Sequence, residues 1–114
     1  MRKQIIENAA YDVAAQVRAV EDCIDSALTE IAELQGRMMR ARVVAGVGIA
    51  TGHEALEQLA GTLTGLVSAR GSMAGCHAAL IDAKGQVPGL RTVAFGDGEE
   101  CPPSKSIADL RVVA

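Results

Sequence analysis

The sequence predicts a mainly α-helical protein: a long antiparallel two-helix hairpin, coiled-coil-like, that self-associates into a helical bundle and ends in a short β-prone tail. Three observations predict this fold. Apolar residues make up 49% of the 114-residue chain, yet Tyr11 and Phe95 are its only aromatics. Aromatic side chains anchor many compact cores, so their scarcity favours layered helix packing. Two long apolar repeats, separated by a Gly-bearing turn, place the hairpin at 1–85 and the tail at 86–114.

The first apolar repeat predicts a helix over about residues 3–45. Its members recur at alternating steps of four and three residues, the pattern of a coiled-coil seam. This first seam consists of Ile6, Ala10, Val13, Val17, Val20, Ile24, Ala27, Ile31, Leu34, Met38, Ala41 and Ala45. Polar residues occupy the opposite face, as expected for solvent exposure. A lone helix would leave the seam uncovered, so we expect a partner helix.

The second repeat predicts that partner over about residues 52–84. Thr51 to Glu54 match a capping box, with Thr51 as the expected N-cap, and Gly85 followed by Pro88 marks the end. This second seam consists of Leu56, Leu59, Leu63, Leu66, Met73 and Leu80, with Arg70 and His77 at the remaining positions. The short turn at 46–50 makes the two helices antiparallel neighbours.

A row of small residues follows the side of the second helix away from its leucines. This small-residue stripe consists of Gly61, Gly65, Ser68, Ser72, Gly75 and Ala79. Each helical glycine costs about 1 kcal/mol relative to alanine, a cost that close helix packing can offset. We therefore expect self-association through the stripe, with Gly61, Gly65, Ser68, Ser72 and Gly75 at the oligomer interface, or through the second seam. The alternative is a weakly helical, solvated face.

The tail contains two β-prone segments, 90–95 and 110–114, with similar sequences. We expect them to pair as a small ribbon or to dock at a subunit interface. An isolated two-stranded ribbon is marginal in water, so it needs support from the helices or another chain. Alternatively, the tail is flexible until a partner orders it.

Three widely spaced cysteines, Cys23, Cys76 and Cys101, favour a reducing compartment because the count is odd and no CxxC pair occurs. The antiparallel register puts Cys23 level with Cys76. The two residues could form a disulfide, share a metal with His77, or be buried inert thiols. Two further zinc ligands are missing and Cys76 and His77 diverge on a helix, so we expect inert thiols and no metal.

Arg70 and His77 interrupt the second seam and have two interpretations. In the structural one, each pairs with an acid on the first helix and thereby fixes the register. The facing acids are Asp25 or Glu30 for Arg70, and Glu21 or Asp22 for His77. In the functional one, Arg70 and His77 line a pocket where arginine binds a carboxylate or phosphate. We favour the structural interpretation.

Basic residues also cluster at the hairpin tip, where Arg37, Arg40 and Arg42 end the first helix and His53 begins the second. Arginines beside a helix N-terminus form a generic anion site, although the helix dipole alone also favours them. No phosphate-binding glycine motif accompanies them, so we expect no cofactor.

These features favour a non-enzymatic, homo-oligomeric interaction protein that acts as an adaptor, scaffold or inhibitor of another protein. The alternative is an oligomeric small-ligand binder that holds an anionic metabolite or nucleotide between subunits. A formal charge of −3 gives no reason to expect nucleic-acid binding.

The chain's location follows from two further sequence features. The apolar stretch 43–50 is far shorter than the ~20 residues of a membrane span. Glu7 and Asp12 fall where a signal peptide needs an apolar run. We therefore expect a cytoplasmic protein that binds no membrane.

Overall fold

The computed structural model describes residues 1–90 and shows an extended helical hairpin with a longest dimension of 67 Å. Helix α1 spans Arg2–Ala45 and helix α2 spans His53–Gly85. At ~1.5 Å per residue, α1 alone accounts for almost all of this length. The predicted pair of long antiparallel helices is confirmed, and their ends lie within one residue of the predicted ones. Residues 91–114, which include most of the predicted tail, lie outside the described part.

The turn after α1 depends on the left-handed backbone of Gly46, with φ 68°. Its N–H donates to the carbonyl oxygens of Arg42 and Val43, both at 3.1 Å, and the Val47 N–H donates to Arg42 O at 3.4 Å. This is the Schellman pattern that commonly ends a helix. The Arg42 guanidinium also donates to the Val47 carbonyl at 3.2 Å. The arginine therefore stabilises the carbonyl-rich end of α1 and its turn.

The predicted capping box at the start of α2 is wrong. Gly52 is the N-cap, with φ 81°, and no side chain caps the first turn. The backbone closes the turn instead, with the Thr51 N–H donating to Gly48 O at 3.1 Å and the Leu56 N–H donating to Gly52 O at 3.2 Å. Because glycine takes the position directly before the helix, Thr51 lies one residue too early to cap it.

The two helices pack along their seams without enclosing a core. Most first-seam residues, such as Val17 and Ile24, are only partly buried, and Leu34 is 49% exposed. The second seam follows the same pattern, with Leu66 partly buried and Leu63 40% exposed. One helix covers a seam from one side only, which explains why the seams stay half-buried.

A tight turn after α2 folds the chain back over the open end of the hairpin. Gly89 has φ 91°, and the Leu90 N–H donates to Val87 O at 3.1 Å. Leu90 is 4% exposed and is the one buried side chain among residues 1–90. The predicted strand at 90–95 thus begins with a residue that lies in a turn, and the rest of that strand lies outside the described residues.

Candidate functional site

Two polar contacts join α1 to α2 near the middle of the hairpin. Arg70 Nε donates to Asp25 Oδ1 at 2.9 Å, and His77 Nδ1 lies 3.5 Å from Glu21 Oε2. The hydrogen bond to Asp25 raises the pKa of Arg70, because the carboxylate stabilises the charged guanidinium. These are the facing acids that the antiparallel register predicts. The structural interpretation of Arg70 and His77 is confirmed to this extent.

The same contacts limit what Arg70 and His77 offer a ligand. A small hollow of about 150 Å³ beside Arg70 is also lined by Asp25 and Glu21. An incoming anion would have to displace a carboxylate that already occupies the guanidinium and would meet a second acid nearby. The structure therefore places Arg70 and His77 close to acidic side chains. This arrangement suits a role in the register of the two helices better than the binding of an anion.

At the tip, Arg37 and Arg40 share one carboxylate, whereas Arg42 and His53 make contacts elsewhere. Arg37 Nε lies 3.0 Å from Glu33 Oε1, and Arg40 Nη2 lies 3.5 Å from the same oxygen. Arg42 is bound to the Val47 carbonyl, as described above, and His53 Nε2 lies 2.9 Å from Glu57 Oε1. The structure therefore does not bring the four predicted residues together at one anion-binding site. These residues are Arg37, Arg40, Arg42 and His53.

The tip also carries an exposed apolar patch. Val43, Val44 and Ile49 are 69%, 88% and 81% exposed. Exposed apolar patches on a protein surface commonly mark interaction sites. This patch and the basic residues beside it make the tip a candidate contact for another protein.

The small-residue stripe is fully accessible in the hairpin. All six of its residues are exposed, and a Cβ atom added at Gly61, Gly65 or Gly75 would meet no heavy atom within 4 Å. The described part of the chain therefore packs nothing against the stripe.

The expectation of buried thiols is wrong for Cys23 and Cys76. Both are exposed, and neither forms a disulfide. The register sets residues level along the hairpin but not their direction around each helix, and these two point outward. Within residues 1–90, no group of three or more His, Cys, Asp or Glu residues is arranged to hold a metal ion.

Sequence reasoning missed a groove of about 220 Å³ at the open end of the hairpin. We call it the open-end groove. Its apolar walls include Val13, Ala14, Val17, Leu80, Ile81 and Leu90. Its polar lining residues are Arg18, Glu21, His77 and Lys84.

Only two features of the sequence point to this groove. Arg18 directly follows a seam residue, and Gly89 permits the turn that brings Leu90 inward. The inward fold of Leu90 is a tertiary event, which the repeats alone do not predict.

Comparison with known proteins adds no assignment: no family model, no curated protein and no solved structure matches the chain. No helix within residues 1–90 is long and apolar enough to cross a membrane.

Proposed function

We propose that this protein is a non-enzymatic, homo-oligomeric helical hairpin that acts as an adaptor, scaffold or inhibitor of another protein. One observation carries the proposal: twelve large apolar side chains of the described residues are at least 36% exposed, while Leu90 alone is buried. Folded domains depend on burying apolar surface, which contributes about 25 cal/mol per Å². A second copy, packed on the half-covered seams or the stripe, would supply that burial.

The composition of α2 supports a contact on its outer side as well. Between residues 58 and 81 the only formally charged residue is Arg70. A helix face that remains in water ordinarily carries charged residues. The outer side of α2 instead carries Gly, Ser, Thr and Ala, which suits close approach of another helix. The exposed tip, with Val44 and Ile49, would remain available to a different protein.

The first test is native mass spectrometry and sedimentation of the full chain over a range of concentrations. We expect a dimer or larger oligomer whose mass is that of the polypeptide alone. A monomer at every concentration would overturn the proposal.

A matched pair of variants tests whether the stripe forms the interface. Gly65→Leu places a large side chain on the stripe, and we expect it to weaken association by about tenfold or more, because close helix approach is lost. Gly71→Leu is the control. It makes the same change at an open helical position about 80° round α2 from the stripe's centre. Equal effects of the two variants would remove the stripe from the interface.

A second matched pair tests the seam. Leu34→Glu places a charge on the half-exposed first seam, whereas Gln35→Glu places the same charge on the exposed neighbouring position. A loss of association specific to Leu34→Glu would assign the contact to the seam. If neither Gly65→Leu nor Leu34→Glu weakens the oligomer, this packing proposal is wrong.

A second candidate function is an oligomeric binder of an anionic metabolite or nucleotide. The open-end groove favours it, because Arg18 and His77 stand beside apolar walls. A stoichiometric extra mass on the purified oligomer would support this function. If Arg70→Ala loses this extra mass, the ligand binds beside Arg70 and Asp25. If the variant retains the extra mass, the ligand binds elsewhere.

A further inference from the structure

The open-end groove combines apolar walls with an uncompensated positive charge. Arg18 is partly buried on the groove's lining, and no hydrogen bond or ion pair joins it to any other residue in 1–90. Asp22, one helical turn away on α1, does not pair with it either. A cation at the edge of an apolar surface is complementary to an amphipathic anion, that is, a ligand with a negatively charged group and an apolar part.

The other charged groups of the lining leave Arg18 available. Glu21 is the nearest acid of the groove along α1, but its carboxylate faces the His77 imidazole at 3.5 Å. Lys84, on α2, adds a second positive side chain to the lining. Arg18 is the lining residue whose charge no carboxylate of residues 1–90 pairs with.

Polarity changes along the length of the groove. Arg18, Glu21 and His77 lie toward the middle of the hairpin, whereas Ala10, Val87 and Leu90 lie at its open end, where Lys84 is the one charged lining residue. From residue 10 to residue 18, α1 rises about 12 Å. An occupant with one charged end and an apolar body would lie along this run, charge at Arg18 and body under Leu90.

We propose that the open-end groove binds a free medium-chain carboxylate, with its carboxylate on the Arg18 guanidinium and its hydrocarbon chain between α1 and α2. The size is consistent: an apolar cavity of about 150 Å³ holds benzene, and the groove, of about 220 Å³, is larger. Drug-sized ligands usually occupy about 300 Å³ or more, so the groove matches a small occupant better than a large one.

Every residue that this binding uses belongs to one chain, so a monomer can bind the carboxylate. A second copy packed on the seams at Val13, Val17 and Leu80 would compete with it. The oligomeric state is measured separately by sedimentation on the same samples. Failure of one proposal is therefore distinguishable from failure of the other.

The test is a titration of the ¹⁵N-labelled full chain with sodium octanoate, followed by NMR and calorimetry. We expect saturable shifts of backbone amides at Ala14 and Ile81 and little change at the tip. Methyl octanoate, which has the same chain without the charge, should bind at least about tenfold more weakly, because it lacks a charge-assisted hydrogen bond.

Variants assign the contact to Arg18. Arg18→Gln should weaken octanoate binding by about tenfold or more and leave methyl octanoate unaffected. Arg37→Gln, which removes the same charge from an exposed position at the other end of α1, should change neither. Ala14→Phe, which fills the groove, should abolish binding of both compounds while the helical circular dichroism is retained.

Three results would overturn the proposal. Equal binding of octanoate and its methyl ester would show adsorption to an apolar surface. Unchanged octanoate binding by Arg18→Gln would place the carboxylate elsewhere. Absence of saturable binding would show that the groove does not take a medium-chain carboxylate.

Discussion

At the scale of single residues, the two pairs Arg70–Asp25 and His77–Glu21 join α1 to α2. The Arg70 and Asp25 side chains are 63% and 43% exposed, and exposed pairs contribute little to the free energy of unfolding. We propose that these pairs act in specificity, because a shifted register would leave Arg70 among the apolar residues of the seam. The raised pKa of Arg70 means that its stabilising contribution is present at lower pH and lost only under strongly alkaline conditions.

A charge swap tests this role. Asp25→Arg puts two cations opposite each other, and we expect the melting temperature to fall by a few degrees. Adding Arg70→Asp should restore most of the loss, because the pair is re-formed with reversed sign. Thermal unfolding followed by circular dichroism measures both variants. If the double variant is no more stable than Asp25→Arg, the pair does not contribute to the register.

The exposed thiols give a second residue-scale prediction. Maleimide labelling of the protein, at a concentration at which circular dichroism shows it to be folded, should modify both Cys23 and Cys76 without denaturant, because both are exposed in the hairpin. Peptide mapping identifies the modified sites, and urea-denatured protein supplies the full rate. If either residue reacts only after denaturation, the exposure seen here is wrong for the protein in solution.

These residues also show how far sequence reasoning reaches. The antiparallel register predicted the partners of Arg70 and His77, because both lie on the seam that faces α1. The expectation of buried thiols at Cys23 and Cys76 was wrong, because the register fixes the level along the hairpin and not the direction around the helix. The charge at Arg18 could not be assigned at all, since its environment depends on where Leu90 folds.

At the scale of elements, the seams determine the helices and the glycines determine the turn. The four-and-three repeats predicted both helices, because apolar residues with this spacing fall on one face only when the chain is α-helical. The start of α2 was mispredicted. Sequence offered Thr51 as a cap, but the backbone of Gly52 already completes the turn. Turn geometry depends on backbone angles that the sequence motif does not specify.

Gly46 provides the test at this scale. Gly46→Ala forces a Cβ into the left-handed region and should lower the free energy of unfolding by about 1 kcal/mol. Gly48→Ala is the matched control, because Gly48 lies in the same turn without a positive φ, and neither position has a heavy atom within 4 Å of the added Cβ. It should be neutral or slightly stabilising, since alanine restricts the unfolded chain. Urea unfolding measures both, and equal effects would contradict the observed turn.

At the scale of the whole molecule, the hairpin is long, thin and incompletely buried. Each helix covers only one side of the other. The 67 Å hairpin therefore leaves large apolar side chains in contact with water along its length. A third and a fourth helix would bury these flanks, as in a four-helix bundle. We propose that self-association provides the apolar burial that residues 1–90 of a single copy do not have.

This leads to a prediction about stability. If folding and association are coupled, dilution favours the unfolded chain by mass action, and the melting temperature rises with protein concentration. We expect a clear rise across a hundredfold range of concentration, measured by circular dichroism in cells of different path length. Gly65→Leu or Leu34→Glu, whichever weakens the oligomer, should reduce this dependence, whereas Gly71→Leu and Gln35→Glu should retain it. A melting temperature independent of concentration, together with a monomeric mass, would mean that the two seams stabilise the single hairpin unaided.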